Sequence, residues 1–376
     1  MRPGRRDDAG HRGPRRVPHL SPHIQREARL SDRLALGERG RLRRVCRLRR
    51  VQEGHQLGQA EHPRRTAAPY HLPGRVIPAR PTVVGLGLCV LDHLYVVDEL
   101  PGASERTRYL QREMRAGGMV ANALAQAARL GCRAELISLV GDDDDGRYAR
   151  RSLRGLGVAT RGLVLSDRFP TTIAVVMIAA RGGERRFLTA HRAPFERRAP
   201  DFDLSPIRPG RVLLIDGHFP DQALRAARRA RALGVPVVAD FSDPRPHYLR
   251  LLPFVDHAVL PEVFVRKWAP GEPERALRRL HREFGGAPVV TLGARGGIYW
   301  HEGRVRRFRS PRVRVRDTTG AGDAFHGAFA AGLGHGLALP EIVARAARAG
   351  AIACTAIGAT ARLASLSEWA GPKRAR

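Results

Sequence analysis

Lysine is almost missing from this chain of 376 residues: Lys267 and Lys373 are the only two, so the formal charge of +30 rests on arginine. Such a charge attracts anions, nucleic acid and acidic surfaces without any built site, so by itself it names no function. Cysteine is equally scarce. Cys46, Cys89, Cys132 and Cys354 stand far apart, with no Cys-x-x-Cys and no metal spacing, which argues against a disulfide framework and fits a reducing compartment. No apolar run approaches the roughly 18 residues of a membrane span. The N-terminus also lacks the apolar segment of a secretory signal. The expectation is a soluble, cytoplasmic protein with no membrane partner.

Apolar residues are sparse over residues 1–78, where Arg, Pro, Gly and His dominate. Up to position 80 there are 20 Arg against 7 acidic residues, so this part is strongly basic. A helix could form around Leu30 to Val51, but it has no apolar face to bury, and disorder is expected. Two readings stay open. One is a nucleic-acid-binding or targeting arm. The other is an unstructured extension, translated from upstream of the true start. No aromatics interleave the arginines as a single-strand binder would need.

What is present is most specific at Asp317-Thr318-Thr319-Gly320-Ala321-Gly322-Asp323-Ala324-Phe325. An extended run with Val313 and Val315 leads in, and Phe325, Phe329 and Leu333 then recur at helical spacing. Small residues let the backbone N–H groups of Gly320, Ala321 and Gly322 converge. Those donors lie at a helix N-terminus, whose dipole favours an anion such as phosphate. Asp323, in the first turn, is placed to take a proton from a hydroxyl attacking phosphorus. No Gly-Lys-[Ser/Thr] follows, so this is not a P-loop. A turn whose Gly and Asp serve only capping geometry is the alternative.

The folded part is expected from Pro81. Val83 to Leu91 reads as one strand buried on both faces, with Asp92 at its end. Gly85-x-Gly87 is not a dinucleotide fingerprint, because no helix follows it. Leu94 to Arg115 is extended and charged. Gly117-Gly118 then opens a helix with Val120, Leu124 and Ala128 on one face and Gly131 as its stop. Asn122, one turn in, offers donor and acceptor to a sugar hydroxyl, or caps the helix. Asp142 to Asp145 lack the closing Glu of an EF-hand loop, so acidic residues at a helix start are expected. Thr171 to Ala180 and Arg186 to Ala190 form a hairpin. After Pro209, strands (Val212–Ile215, Val235–Ala239, His257–Leu260, Val289–Leu292) alternate with helices (Gln222–Leu233, Glu274–Phe284), which argues a parallel sheet covered on both faces. Ile342 to Gly350 and Ala351 to Ile357 read as two closing helices. Gly350, Ala351 and Ala353 suit either a flat adenine slot or close helix packing.

Asp317–Phe325, with Asp92, Gly117-Gly118-x-x-x-Asn122 and the Ala-rich helix after it, resembles the two motifs of the ribokinase-like (PfkB) carbohydrate kinases. The resemblance covers roughly residues 81–365. It implies an α/β fold, a three-layer αβα sandwich with a central, mostly parallel sheet and a small β lid. The kinase domain would span 79–370, with lid strands about 94–116 and 171–190. It further implies ATP-dependent phosphorylation of a hydroxyl of a sugar or sugar derivative. Asp323 would be the catalytic base and Gly320, Ala321 and Gly322 the anion hole. Asp92, Gly117, Gly118 and Asn122 would hold the sugar, and Thr291, Gly293, Thr318, Gly320 and Gly322 would border the nucleotide. Asp317 and Thr319 match positions that bind a monovalent cation such as K+ in some members. The family's Asn-x-x-Glu motif is lost here, with Pro261 and Phe264 at its positions. Either Glu262 substitutes as a ligand of Mg2+, or the phosphates hold that ion. Arg108 and Arg112, in the lid stretch, are candidates for an anionic substrate or for solvated side chains. In several members the lid pairs two subunits, so a homodimer is possible. A nucleoside kinase of the same fold is the alternative enzyme, and nucleic-acid binding through the basic arm the alternative without catalysis.

Overall fold

The computed structural model describes residues 80–102, 105–181, 184–189 and 198–371. The basic stretch 1–78 and its expected disorder lie outside the described residues. The apolar run from Val83 to Leu91 is not one strand. β1 (Thr82–Leu86) ends, the chain bends, and β2 (Val90–Val97) starts a second sheet. Glycines make the bend possible: a Cβ on Gly87 would lie 2.3 Å from Asp216 Oδ2. Asp92 therefore stands inside a lid strand and not at the end of a core strand.

β3 (Tyr109–Gly117) returns antiparallel to β2, pairing Val90 with Gly117 and Asp92 with Arg115. Gly118, at φ 105°, turns the chain into α1 (Met119–Arg129), and a Cβ there would lie 2.1 Å from the Leu88 carbonyl oxygen. Only glycine tolerates both conditions. β4 (Arg133–Gly141), α2 (Asp144–Gly155) and β5 (Val158–Ser166) follow. Asp143 caps α2, accepting from Gly146 N at 2.7 Å, with Asp144 and Asp145 in the first turn. The aspartate run is thus a helix start. β6 (Ile173–Ala179) and β7 (Arg185–Thr189) make the expected hairpin.

The alternating half runs β8 (Val212–Ile215), α3 (Pro220–Ala232), β9 (Val237–Asp240), the short α4 (Pro246–Leu249), β10 (His257–Pro261), α5 (Glu262–Trp268), α6 (Pro273–Phe284) and β11 (Val289–Thr291). An antiparallel hairpin, β12 (Gly297–His301) and β13 (Arg304–Phe308), closes this edge. Residues 309–316 join no ladder, so a segment outside both sheets, and not a strand, feeds the glycine turn. α7 (Ala321–Gly334), α8 (Leu339–Ala353) and α9 (Leu366–Ala370) finish the described chain. α8 is one helix that ends before Cys354, where two had been expected.

The large sheet has the order β13-β12-β11-β10-β9-β8-β1-β4-β5, parallel from β11 to β5. The smaller sheet has the order β3-β2-β6-β7. Alternate residues of the core strands face opposite layers. Val83 and Leu214 pack with α1, α7 and α8, while Val84, Leu213 and Ile215 pack with α3, α5 and α6. This is a three-layer αβα sandwich carrying a separate small sheet. The strand order turns outward in both directions from β1 and β8. Ligands in open α/β sheets bind beyond the carboxyl ends of strands at such a switch point.

Candidate active site

The site is built where two helices cross unusually close. A Cβ on Gly327 of α7 would lie 2.0 Å from the carbonyl oxygen of Ala123 in α1. That contact brings Asn122 to Asp323, and Asn122 Nδ2 donates to Asp323 Oδ2 at 2.8 Å. The two motifs, 201 residues apart, meet in one hydrogen bond. Asn122 Oδ1 is buried and has no hydrogen-bond partner among the described residues. A buried acceptor left unpaired is costly, so it favours a donor such as a sugar hydroxyl. Asp92 closes the same side: a Cβ on Gly117 would lie 2.1 Å from its Oδ2.

Gly320 caps α7 in the left-handed conformation, at φ 76°. The first-turn N–H groups of such a helix have no partner within it. A Cβ on Gly322 would meet nothing within 4 Å, so the mouth of the turn is open. Asp323 is half-buried in this first turn. Its carboxyl is pushed up to about 7 by burial and the nearby charge of Asp240, against the opposing pull of Asn122 and His326. A carboxylate so placed can accept a proton near neutral pH.

Three further residues support the turn. Asp216 follows β8 and accepts from Leu88 N at 2.9 Å and His218 N at 3.0 Å, holding the bend between β1 and β2. Asp240 ends β9, and burial together with the charge of Asp216 raises its pKa. His326 is buried between two carbonyl oxygens, Gly322 O at 2.7 Å from Nδ1 and Val259 O at 2.9 Å from Nε2. Burial favours its neutral form over the pull of those carbonyls. The ring ties the first turn of α7 to β10. The sequence did offer one signal for Asp216 and Asp240. Each ends a short, wholly apolar run, Val212–Ile215 and Val237–Ala239, at the strand end where ligands gather.

The remaining candidates fall nearby with different partners. Asp317 and Thr319 lie in the loop before Gly320, where Asp317 Oδ1 accepts from Thr319 N at 2.9 Å and from Arg185 Nη1 at 2.7 Å. Burial alone would raise the Asp317 carboxyl, but donors from Gly358 and Thr319 and the charge of Arg185 hold it below the usual range. Thr318 Oγ1 accepts from Arg185 Nη2 at 2.8 Å. Thr291 ends β11 and Gly293 starts the tight turn after it, on the same carboxyl edge of the sheet. Glu262 opens α5, with Oε1 held by Arg266 at 2.7 Å and Oε2 by Arg295. Its charge is thus met by two guanidinium groups. Among the described residues, no cluster of three or more His, Cys, Asp or Glu is arranged to hold a metal ion. Arg112 is exposed, donating to Met114 Sδ at 3.2 Å, and Arg108 is exposed as well. Gly350 packs against Ala321, where a Cβ would lie 2.9 Å from the carbonyl oxygen, so close helix packing accounts for it.

A glycine turn at a helix start, the Asp323 carboxyl and the buried Asn122 side chain thus stand together beside the carboxyl edge of the sheet. The sequence model of the pfkB family carbohydrate kinase matches residues 80–365, and the chain belongs to that family. The aminoimidazole riboside kinase of Salmonella typhimurium is 30% identical over 276 residues, covering 66% of this chain and 84% of its own length. A crystal structure from Agrobacterium tumefaciens, described as a ribokinase, superposes with a TM-score of 0.72 at 27% identity, covering 77% of this chain and 96% of that one. Arabidopsis thaliana ribokinase, complexed with ribose and ATP, superposes with a TM-score of 0.66 at 24% identity, covering 77% and 97%. This chain is a carbohydrate kinase, a phosphotransferase that acts on a sugar hydroxyl. Among the described residues no helix is long and apolar enough to cross a membrane.

Proposed function

We propose that this kinase transfers the terminal phosphoryl group of ATP to a hydroxyl of a sugar or sugar derivative, with Asp323 as the general base. The observation that carries the reading is the 2.8 Å hydrogen bond from Asn122 to Asp323, which unites a hydroxyl-binding side chain with a carboxylate at an anion cradle. Asp92, Gly117, Gly118 and Asn122 hold the polyol, and the unpaired Oδ1 of Asn122 accepts from one of its hydroxyls. The attacking hydroxyl gives its proton to Asp323 as its oxygen bonds to phosphorus and the bond to the leaving ADP breaks. The N–H groups of Gly320, Ala321 and Gly322 stabilise the charge on the transferring group, where preorganised donors act most strongly.

Thr318, Gly320 and Gly322 border the phosphates, and Thr291 and Gly293 the rest of the nucleotide. Mg2+ neutralises charge on the phosphates when bound. The arginine partners of Glu262 favour phosphate oxygens and water as its ligands, consistent with that ion's retention of waters. The kinase unit occupies residues 79–370 of a cytoplasmic protein. Lid residues Tyr109, Leu110, Phe187 and Leu188 are exposed, an apolar surface suited to pairing two subunits.

A panel of sugars, amino-substituted sugars and nucleosides, incubated with ATP and Mg2+ and read by ADP release, tests the function. At least one sugar should drive ADP release well above the rate with ATP alone. Release driven only by nucleosides would move the assignment to a nucleoside kinase, and release by none would oppose it.

A further inference from the structure

One arginine joins the lid to the catalytic turn. Arg185 begins β7, the edge strand of the small sheet, and its guanidinium meets three side-chain oxygens of a single loop. Nη1 donates to Asp317 Oδ1 at 2.7 Å and to Thr319 Oγ1, and Nη2 donates to Thr318 Oγ1 at 2.8 Å. These residues immediately precede Gly320, the cap of α7. Asp317 is 96% shielded at its side chain, which is 4% exposed, and Arg185 is 24% exposed, so solvent screens this pair only partly.

Asp317 and Thr319 are also the residues at which the family resemblance expects a monovalent cation. Here their atoms do not fit one. Asp317 Oδ1 already accepts from Arg185, from Thr319 N at 2.9 Å and from Thr319 Oγ1 at 2.8 Å, and Oδ2 accepts from Gly358 N at 2.8 Å. A carboxylate oxygen has about two lone-pair directions, so Oδ1 is fully engaged. A K+ ion at Asp317 Oδ1 and Thr319 Oγ1 would also stand against a positive guanidinium.

We propose that Arg185 is a built-in replacement for that ion: a lid-borne guanidinium that fixes the Asp317–Thr319 loop and makes the kinase independent of K+. The loop needs a positive charge, because a buried carboxylate three residues before an anion cradle repels incoming phosphate. A planar guanidinium meets that need while also fixing geometry, since its fork binds several oxygens at once. Arg185 is then a positioning residue, acting on phosphate through the conformation of Thr318, Thr319 and Gly320. Because it stands on the lid, cradle geometry depends on lid position, a dependence that a diffusible ion would not create.

The inference rests on the kinase reading of the Gly320–Asp323 turn, so its test has one arm with turnover and one without. In the first, the rates of wild type, Arg185→Ala and Arg185→Lys are compared in KCl and in tetramethylammonium chloride at equal ionic strength. The sugar is the one identified by the panel. Wild type should respond to K+ by less than about twofold, and Arg185→Ala should lose about tenfold or more in kcat, a smaller loss than the roughly 10²–10³-fold of a donor that touches the reacting group, because Arg185 acts through the loop. KM for the sugar should change little. K+ should restore part of the Arg185→Ala rate, and Arg185→Lys should lie between. Strong K+ activation of wild type, an unchanged Arg185→Ala, or a loss that K+ leaves untouched would each overturn the proposal.

In the second arm, thermal melting of the ligand-free proteins is compared in the same two salts. K+ should raise the midpoint of Arg185→Ala and leave wild type unmoved. A K+-dependent rise in wild type, or none in Arg185→Ala, overturns the replacement even if no substrate has been found. Should Arg185→Ala not fold, Arg185→Lys and the wild-type response decide. Failure of every sugar to turn over would count against the kinase reading alone.

Discussion

As the proposed base, Asp323 has two demands to meet, since it must be ionised to accept a proton yet basic enough to hold one. Its surroundings reconcile them. Burial and the charges of Asp240 and Asp92 raise its pKa, and the hydrogen bond from Asn122 limits the rise. The sign for activity follows directly: the active form is the carboxylate, so kcat/KM should climb with pH and level off above about 7. For folding the sign is reversed. A carboxyl whose folded pKa is raised contributes stability below its unfolded value near 4, and that contribution is lost as pH rises through the folded value. A pH–rate profile of wild type and Asp240→Asn checks this. Asp240 is itself raised to about 8, so it is charged over only part of the range in which Asp323 titrates, and the acid limb of the variant should stand at or slightly below that of wild type. An acid limb near pH 4 in wild type would contradict the assigned environment.

The turn between 317 and 323 was legible at the level of the element, because its chemistry is local. Glycines, a helix start and a carboxylate lie within nine residues, and the structure places them as the spacing demands. The Gly117-Gly118 entry to α1 was legible for the same reason. Local pattern did not show what lies across the fold. Asp216, Asp240 and His326 act through partners far away in the chain, such as Val259, 67 residues from His326. Arg185 looks like any other arginine until β7 places it beside Asp317. The bend at Gly87 was hidden for a related reason, since an apolar run does not reveal which sheet each half joins.

The two glycines of the turn give opposite predictions. Gly320 has φ 76°, and a Cβ there would lie 2.5 Å from Ala359 Cα, whereas Gly322 has open space beside it. Gly320→Ala should therefore lower stability by at least about 1 kcal/mol, through a strained backbone and a clash. Gly322→Ala should melt like wild type and still lose activity, because its methyl group would occupy the space that the proposed mechanism gives to phosphate. Thermal melting and steady-state rates measured together separate the two effects. A fully active Gly322→Ala would argue that phosphate lies elsewhere.

At the scale of the whole molecule, the arrangement around Asp323 is a product of topology. The sheet order places the carboxyl ends of β8 and β9 beside β1, and the close crossing of α1 and α7 at Gly327 delivers Asn122 to Asp323. The small sheet adds Asp92 from β2 and Arg185 from β7. Segments widely separated in the chain thus meet around Asp323 and the loop that precedes it, and replacing the Asp323 carboxylate is the direct test. In Asp323→Asn the amide is close to the carboxylate in shape and can still meet Asn122 after reorienting. The variant should fold and bind ATP as wild type does, as read by melting and calorimetry. Its phosphoryl transfer to the identified sugar should fall by about 10²–10⁴-fold, the usual contribution of a general base. Transfer at near the wild-type rate, in a variant that folds and binds ATP, would contradict the assignment of Asp323 and the mechanism built on it.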